Sequence, residues 1–279
     1  MEEQSNLMKK TFTFTLTILL ALLLGSCKNT DEQKEEESGP AIPLINYAVK
    51  RTYLHDTTSF TEGLLFHDSL LYESTGAQPG LESTRSLFGV LSLKTGRIDV
   101  KAELDRKKYF GEGIVFFGNK VYQLTYTTQK GFIYDAKTFR PLGEFSFPNK
   151  EGWGFTTDST YLIMSDGTSQ LTYFYPDSLT VKQTIAVSDT RNPVDKLNEL
   201  EFINGFIYAN IYTTSDIVKI DPASGNIVGR LDLSSLVNEV HQMYPASLEM
   251  NGIAYNPATG SIFVTGKMWP VVYEITFPF

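Results

Sequence analysis

Cysteine is almost absent from this chain: Cys27 is the only one in 279 residues. No disulfide can form within the chain, and everything after residue 27 lacks a thiol nucleophile. Histidine is scarce as well, and the three present, His55, His67 and His241, have no spacing that suggests a metal site. There is no Gly-x-Ser-x-Gly elbow, phosphate loop or dinucleotide fingerprint; Gly111-Glu112-Gly113 opens a strand and no helix follows it. Long helical periodicity is missing too, the best candidate being the short, weakly amphipathic stretch 231–240. Positive charge is not in excess: the net charge is −8, which argues against a nucleic-acid partner. What the chain does have is 15 Tyr and 19 Phe among many turn residues, the composition of strands.

The N-terminal stretch reads as a targeting segment. Lys9 and Lys10 precede the apolar run 11–24, which is short for a membrane span but right for a signal-peptide core. Leu24-Gly25-Ser26-Cys27 resembles a bacterial lipobox, so residues 1–26 are expected to be a lipoprotein signal peptide and Cys27 the lipidated first residue. The alternative is a plain signal peptide with a chance cysteine. Glu2 and Glu3 are unusual in such a segment, and Met8 is a possible start. Residues 27–40 are expected to form a disordered acidic tether. The tether carries −3 of the −8 and residues 1–26 balance, leaving −5 for a domain over 41–279. This places the protein in the bacterial cell envelope, held to a membrane only through its lipid.

The domain repeats. Five segments open on one residue, usually followed by Gly, and then an apolar strand: Glu62-Gly-Leu-Leu-Phe, Glu112-Gly-Ile-Val-Phe, Trp153-Gly-Phe-Thr-Thr, Asn198-Glu-Leu-Glu-Phe and Asn251-Gly-Ile-Ala-Tyr. Their spacings of 50, 41, 45 and 53 residues are those of propeller blades. Hairpin turns such as Gly118-Asn and Asn204-Gly lead to second strands, and third strands follow. Four repeats continue into a fourth strand, but the fifth has no room before Phe279. An unclaimed strand over 46–53 is left to complete it. The expectation is an all-β, five-bladed β-propeller closed by its N-terminal strand, which leaves no long open sheet edge.

In that architecture the start of each inner strand and the end of each second strand share one face. The first column reads Glu62, Glu112, Trp153, Asn198, Asn251, and the second reads Gly76, Tyr126, Gly167, Tyr212, Lys267. An aromatic-walled pocket with a few convergent polar groups is the usual form of a small-molecule site. Propeller channels are also commonly wet and polar, and Asn251 and Asp166 are read as structural. Glu199 and Glu201 are read as rim or structural carboxylates. Glu112 and Lys267 are costly inside an aromatic pocket unless used or paired.

These motifs resemble a known family. Phe60-Thr-Glu-Gly-Leu, Phe110-Gly-Glu-Gly-Ile, Gln123-Leu-Thr-Tyr, Glu151-Gly-Trp-Gly, Ser165-Asp-Gly-Thr, Leu197-Asn-Glu-Leu-Glu, Asn251-Gly-Ile-Ala and Thr265-Gly-Lys-Met-Trp-Pro are similar to motifs of the plant and bacterial, papaya-type glutaminyl-peptide cyclotransferases. The resemblance implies a five-bladed propeller that converts an N-terminal glutamine of a peptide or protein into pyroglutamate with release of ammonia, an aminoacyltransferase reaction. It implies Glu112 as the acid/base residue, Asn198 and Lys267 as groups that orient or polarise the substrate amide, and Trp153 and Phe60 as pocket walls. Glu62, Tyr126 and Tyr212 complete the expected substrate-binding set. The family often has Gln where this chain has Glu62, and commonly Trp where it has Tyr126 and Tyr212. A neighbouring carboxylate and apolar walls raise the pKa of Glu112 while Lys267 lowers it, a balance the sequence leaves open. No cofactor or metal is expected, and the expected state is a monomer. The alternatives are a lipid-anchored module that binds a peptide or small ligand without turnover, and a metal-dependent propeller lactonase using Glu62, Glu112, Asn198 and Asn251 around a cation, which Lys267 would repel.

Overall fold

The computed structural model describes residues 41–279; the expected signal peptide, Cys27 and the tether lie outside the described residues. The first antiparallel sheet joins β2 (Thr61–His67), β3 (Leu70–Thr75), β4 (Leu87–Leu91) and β5 (Ile98–Glu103) in chain order. The second holds β6 (Gly111–Phe117), β7 (Lys120–Thr125), β8 (Lys130–Asp135) and β9 (Pro141–Ser146). The third holds β10 (Phe155–Thr157), β11 (Leu162–Ser165), β12 (Gln170–Phe174) and β13 (Val181–Ala186). The fourth holds β14 (Leu197–Ile203), β15 (Phe206–Ile211), β16 (Asp216–Ile220) and β17 (Ile227–Asp232). The fifth runs β18 (Met250–Asn256), β19 (Ser261–Gly266), β20 (Val271–Thr276) and then β1 (Ala48–Leu54).

Strand β1 is therefore the closing strand expected over 46–53. It pairs antiparallel with β20 from Ala48↔Thr276 to Leu54↔Val271. Each innermost strand touches the innermost strand of the next blade, and β18 returns to β2, so the ring is a five-bladed β-propeller.

Strand alternation explains how one strand serves two neighbours. Ile114 and Phe116 of β6 pack with Leu65 and Phe88 of the first blade, while Val115 between them packs with Phe155 and Met164 of the third. Five such apolar clusters fill the five blade interfaces. Outer strands lie in water and are polar: β13, Val-Lys-Gln-Thr-Ile-Ala, is mostly exposed, and β9 opens on a proline suited to an edge. Gly113 admits no Cβ, which would lie 2.6 Å from the Trp153 carbonyl of the next blade.

One helix stands among the described residues, α1 (Ser234–Met243), between β17 and β18. It starts three residues later than the candidate stretch 231–240, because Leu231 still pairs with Ile217 in β17. Leu236 and Val240, four apart on one face, anchor it to the cluster between the fourth and fifth blades.

The seam is sealed by more than strand pairing. His55, just past β1, is buried with Nε2 3.0 Å from both oxygens of Glu73 in the first blade. Its Nδ1 lies 2.8 Å from the Trp269 carbonyl in the fifth, and Thr61 Oγ1 donates to Glu73 at 2.7 Å. Burial pulls the imidazole pKa down, but the Glu73 charge and the hydrogen bonds outweigh it and hold it above its ordinary value. A base raised on folding stabilises fully below its unfolded pKa and loses that contribution as pH rises through the folded one. His55→Ala leaves Glu73 buried and unpaired, and is expected to cost about 3–5 kcal/mol. Urea denaturation checks it: the deficit should be full at about pH 6, just below the unfolded imidazole value of about 6.5, and shrink above the folded imidazole pKa, and an unchanged midpoint would remove the seam role.

Candidate active site

The inner strands do not run straight into the channel. The register of β2 against β3 slips between Thr61 and Gly63, of β6 against β7 between Gly111 and Ile114, of β14 against β15 between Leu197 and Leu200, and of β18 against β19 between Met250 and Ile253. Each slip brackets the opening residue of its repeat: Glu62, Glu112, Asn198 and Asn251. A bulge frees a residue from the ladder and re-aims its side chain. Four bulges thus present four polar groups at one end of the axis, with Trp153 just ahead of β10 in the remaining blade.

The second column arrives from the ends of the second strands. Tyr126 follows β7, Tyr212 follows β15 and Lys267 follows β19. Position 167, after β11, must be glycine: its φ is +77°, and a Cβ would lie 2.6 Å from the Trp153 ring. One cavity of about 480 Å³ is lined by Phe60, Glu62, Glu112 and Tyr126, and equally by Trp153, Asn198, Tyr212 and Lys267. All eight of the expected site residues meet there. Asn251 and Asp166 do not line it; Asp166 caps a turn by accepting from the Thr168 N–H at 3.1 Å.

Backbone anchors fix the two central groups. Ser74 Oγ donates to the Glu112 carbonyl at 2.5 Å and Ser165 Oγ to the Asn198 carbonyl at 2.6 Å, each crossing a blade boundary. Both serines stand two positions before the second column, and that shared place in the repeat is the signal that would have marked them. The walls form an arc of rings, Phe60–Phe110 and Phe110–Tyr126 at 5.8 Å each, Tyr126–Trp153 at 6.4 Å and Trp153–Tyr212 at 5.5 Å between centroids. Phe110 was legible only as part of its motif. Glu151 steadies the arc by accepting from Trp153 Nε1 at 2.9 Å.

Lys267 pairs with Glu62, not with Glu112. Its Nζ donates to Glu62 Oε1 at 2.7 Å, and Asn251 Nδ2 donates to Glu62 Oε2 at 3.0 Å. Lys267 also stands 4.6 Å from the Phe60 ring centroid and 5.3 Å from that of Tyr212, where the ring faces favour a cation. Glu62 thus has an ammonium on one oxygen and an amide N–H on the other, which turns it away from the central cation that the lactonase reading requires. Glu112 is the contrast: among the described residues its Oε2 is buried with no partner, and Asn198 Oδ1 is likewise unpartnered.

The balance left open by the sequence resolves upward. Burial, then the charge of Glu62, push the Glu112 carboxyl well above the usual carboxylate range, and Lys267 only partly offsets them. Burial also lifts Glu62, to about 7, against the pull of Lys267. Lys267 itself is lowered by burial, but the two carboxylates more than compensate and hold it charged. Two buried acids facing one ammonium share a proton as a coupled pair. Glu62, with both donors, is the better placed to ionise, and the exchangeable proton is assigned to Glu112, which faces the cavity that Asn198 also lines.

Deeper in the channel, Glu199 accepts from the Leu64 and Ile253 N–H groups at 3.2 and 2.8 Å, and Glu201 from the Tyr255 N–H at 2.9 Å. Burial raises both, Glu201 to about 8. These are structural staples, in line with the structural half of their reading; Glu199 is buried and Glu201 half-buried.

A family model described as glutamine cyclotransferase matches residues 18–277. A glutaminyl-peptide cyclotransferase of Arabidopsis thaliana is 35% identical over 271 residues, covering 94% of this chain and 83% of that protein. The crystal structure of Myxococcus xanthus glutaminyl cyclase superposes with a TM-score of 0.76 at 35% identity, over 84% of this chain and 98% of that one.

The coupled pair makes a prediction independent of any substrate. In Glu62→Gln the neighbouring negative charge is gone and Lys267 loses its partner, and both changes favour ionised Glu112. Its titration, followed by carboxyl difference infrared spectroscopy, should move to lower pH than in the parent; an unmoved or higher midpoint would contradict the pairing.

Proposed function

The chain belongs to the glutamine cyclotransferase family, and we propose that it closes the N-terminal glutamine of a peptide or protein into pyroglutamate, releasing ammonia, with Glu112 moving the proton. The observation that carries the role of Glu112 is its buried, unpartnered carboxyl, raised in pKa and facing the cavity.

The reaction joins the α-amine nitrogen to the side-chain amide carbon and breaks the bond from that carbon to the amide nitrogen. The amine, with an ordinary pKa of about 8, must attack in its neutral form, and the departing nitrogen must gain a proton to leave as NH3. One carboxyl serves both demands: it takes the proton from the amine and returns it to the leaving nitrogen. Matched pKa values make both transfers easy. The upward shift of Glu112 brings it toward the amine, as this role requires.

Asn198 has an N–H donor, Nδ2, with no hydrogen bond to another side chain or backbone among the described residues, and Lys267 keeps donors beyond the one spent on Glu62. Both suit the oxygen that becomes negative when the amine adds to the amide, where one such donor is worth roughly 10²–10³-fold. Trp153, Tyr126, Tyr212 and Phe60 wall the glutamine side chain from water. The productive state holds one proton between amine and carboxyl, so the rate falls at low pH when both are protonated and at high pH when neither is.

Glu112→Gln should lower kcat for ammonia release from a Gln-initiated peptide by roughly 10²–10⁴-fold. A raised acid lowers stability as pH rises from the unfolded carboxyl value toward the folded one, so the variant should be at least as stable as the parent at pH 8. Parent-like turnover would refute the role; saturable binding without ammonia from the parent would favour the binding-module reading.

We further propose that the domain acts as a monomer, displayed at the cell envelope through lipid on Cys27. Support comes from the Leu-Gly-Ser-Cys sequence and the acidic stretch after it. Cys27→Ser should move the protein from the membrane fraction to the soluble one and abolish incorporation of labelled fatty acid; an unchanged distribution would count against the anchor.

A further inference from the structure

The loop from β5 to β6 brings Arg106, Lys107 and Lys108 into the lining of the same cavity as Glu112. Among the described residues the acids in that lining are the two buried ones, Glu62 and Glu112. The side of the mouth formed by this loop is therefore basic, although the domain as a whole carries −5.

The loop is built to hold that charge in place. Asp105 caps it, its Oδ1 accepting from the Lys107 N–H at 3.0 Å and its carbonyl from the N–H groups of Lys108 and Tyr109 at 2.9 Å each. Ser86 Oγ donates to the Tyr109 carbonyl at 2.9 Å, and the Tyr109 ring packs edge-on against Phe132 at 5.0 Å. Arg106 is committed to Glu82, with Nη1 3.1 Å from its carboxylate and 2.8 Å from its carbonyl. Lys108 has only a loose pair with Asp105 at 3.6 Å, and Lys107 forms no ion pair among the described residues. Two ammonium groups on a rigid turn thus stand on one side of the mouth with little to neutralise them, while the acid on the far wall, Glu151, accepts from Trp153 Nε1 at 2.9 Å.

Resting on the cyclase reading, we propose that Lys107 and Lys108 select peptides with an acidic side chain directly after the N-terminal glutamine. A glutamine bound at Glu112 leaves the rest of an extended peptide to run outward at about 3.3–3.6 Å per residue. Lys108 lies four positions before Glu112 in the chain, on the loop that feeds β6, so the first residues past the glutamine meet this rim. Exposed charge pairs shift affinity only a few-fold each, so the effect is one of preference and not of absolute requirement.

The test uses C-terminally amidated Gln-Glu, Gln-Ala and Gln-Lys peptides with the parent and with Lys107→Glu/Lys108→Glu. At low salt the parent should give kcat/KM for Gln-Glu about fivefold above Gln-Lys, with Gln-Ala between. The difference should collapse near 1 M salt, where charges are screened beyond about 3 Å. In the double variant the order should reverse, which a merely damaged enzyme, slower on all three peptides alike, would not do. Equal rates at low salt, or the parent's order kept in the variant, would overturn the proposal. If no peptide released ammonia, the cyclase reading would fall separately, and calorimetric binding of the same peptides would still decide the rim: tighter Gln-Glu supports it, equal affinities overturn it.

Discussion

An innermost propeller strand pairs along one edge only, and its other edge faces the axis, where backbone N–H and C=O groups cannot be left bare inside the protein. Here side chains from neighbouring blades fill that need. Glu199 takes the N–H groups of Leu64 and Ile253, Glu201 that of Tyr255, Asn210 that of Gly252, and Thr156 that of Phe202. Ser74 and Ser165 answer in the other direction by donating to carbonyls. Because every one of these bonds crosses between blades, satisfying the inner edges and holding the ring together are the same act. The polar channel follows from the architecture before any chemistry is asked of it.

The site begins where that satisfaction stops. Glu199 is buried as deeply as Glu112, yet both of its oxygens are spent on backbone N–H groups, whereas Glu112 Oε2 meets no donor. Burying a polar group without a partner costs free energy, and a carboxyl relieves the cost by keeping its proton. The same reasoning separates the amides: Asn210 and Asn251 are tied to backbone or to Glu62, and Asn198 is not. Function here is read from the absence of a structural partner at a position the bulges have aimed inward.

How much of this the sequence carried follows from what repeats. The blade count, the strand order and the closure by β1 all follow from a period and a missing fourth strand, and the structure has them as expected. The two columns were equally legible, since antiparallel pairing ties the start of one strand to the end of the next, and all their members but Asn251, Gly76 and Gly167 line one cavity. Events that break the repeat were not legible. The bulges insert residues that periodicity cannot locate. The choice of Glu62 over Glu112 as partner for Lys267 depends on ångström-scale reach across the ring. Helix α1 starts late because sheet pairing holds Leu231, a tertiary preference that outweighs local pattern. The cationic loop lies between repeats, where alignment on strands discards it.

The departure at position 62 is best understood through charge balance. The family to which this chain is similar often has glutamine there, and a neutral amide cannot balance Lys267. With glutamine at 62, Glu112 would be the carboxyl of this cavity left to balance the lysine. With Glu62 present, that duty passes to a residue fixed by both Lys267 and Asn251. Glu112 is then surplus to the pairing, raised by burial and by the Glu62 charge, and free to hold or yield a proton. Two acids, one ammonium and one proton sum to a neutral cluster, which an aromatic-walled cavity tolerates far better than a net charge. Glu62 thus takes up the pairing with Lys267, leaves the Glu112 proton exchangeable and keeps the buried site neutral.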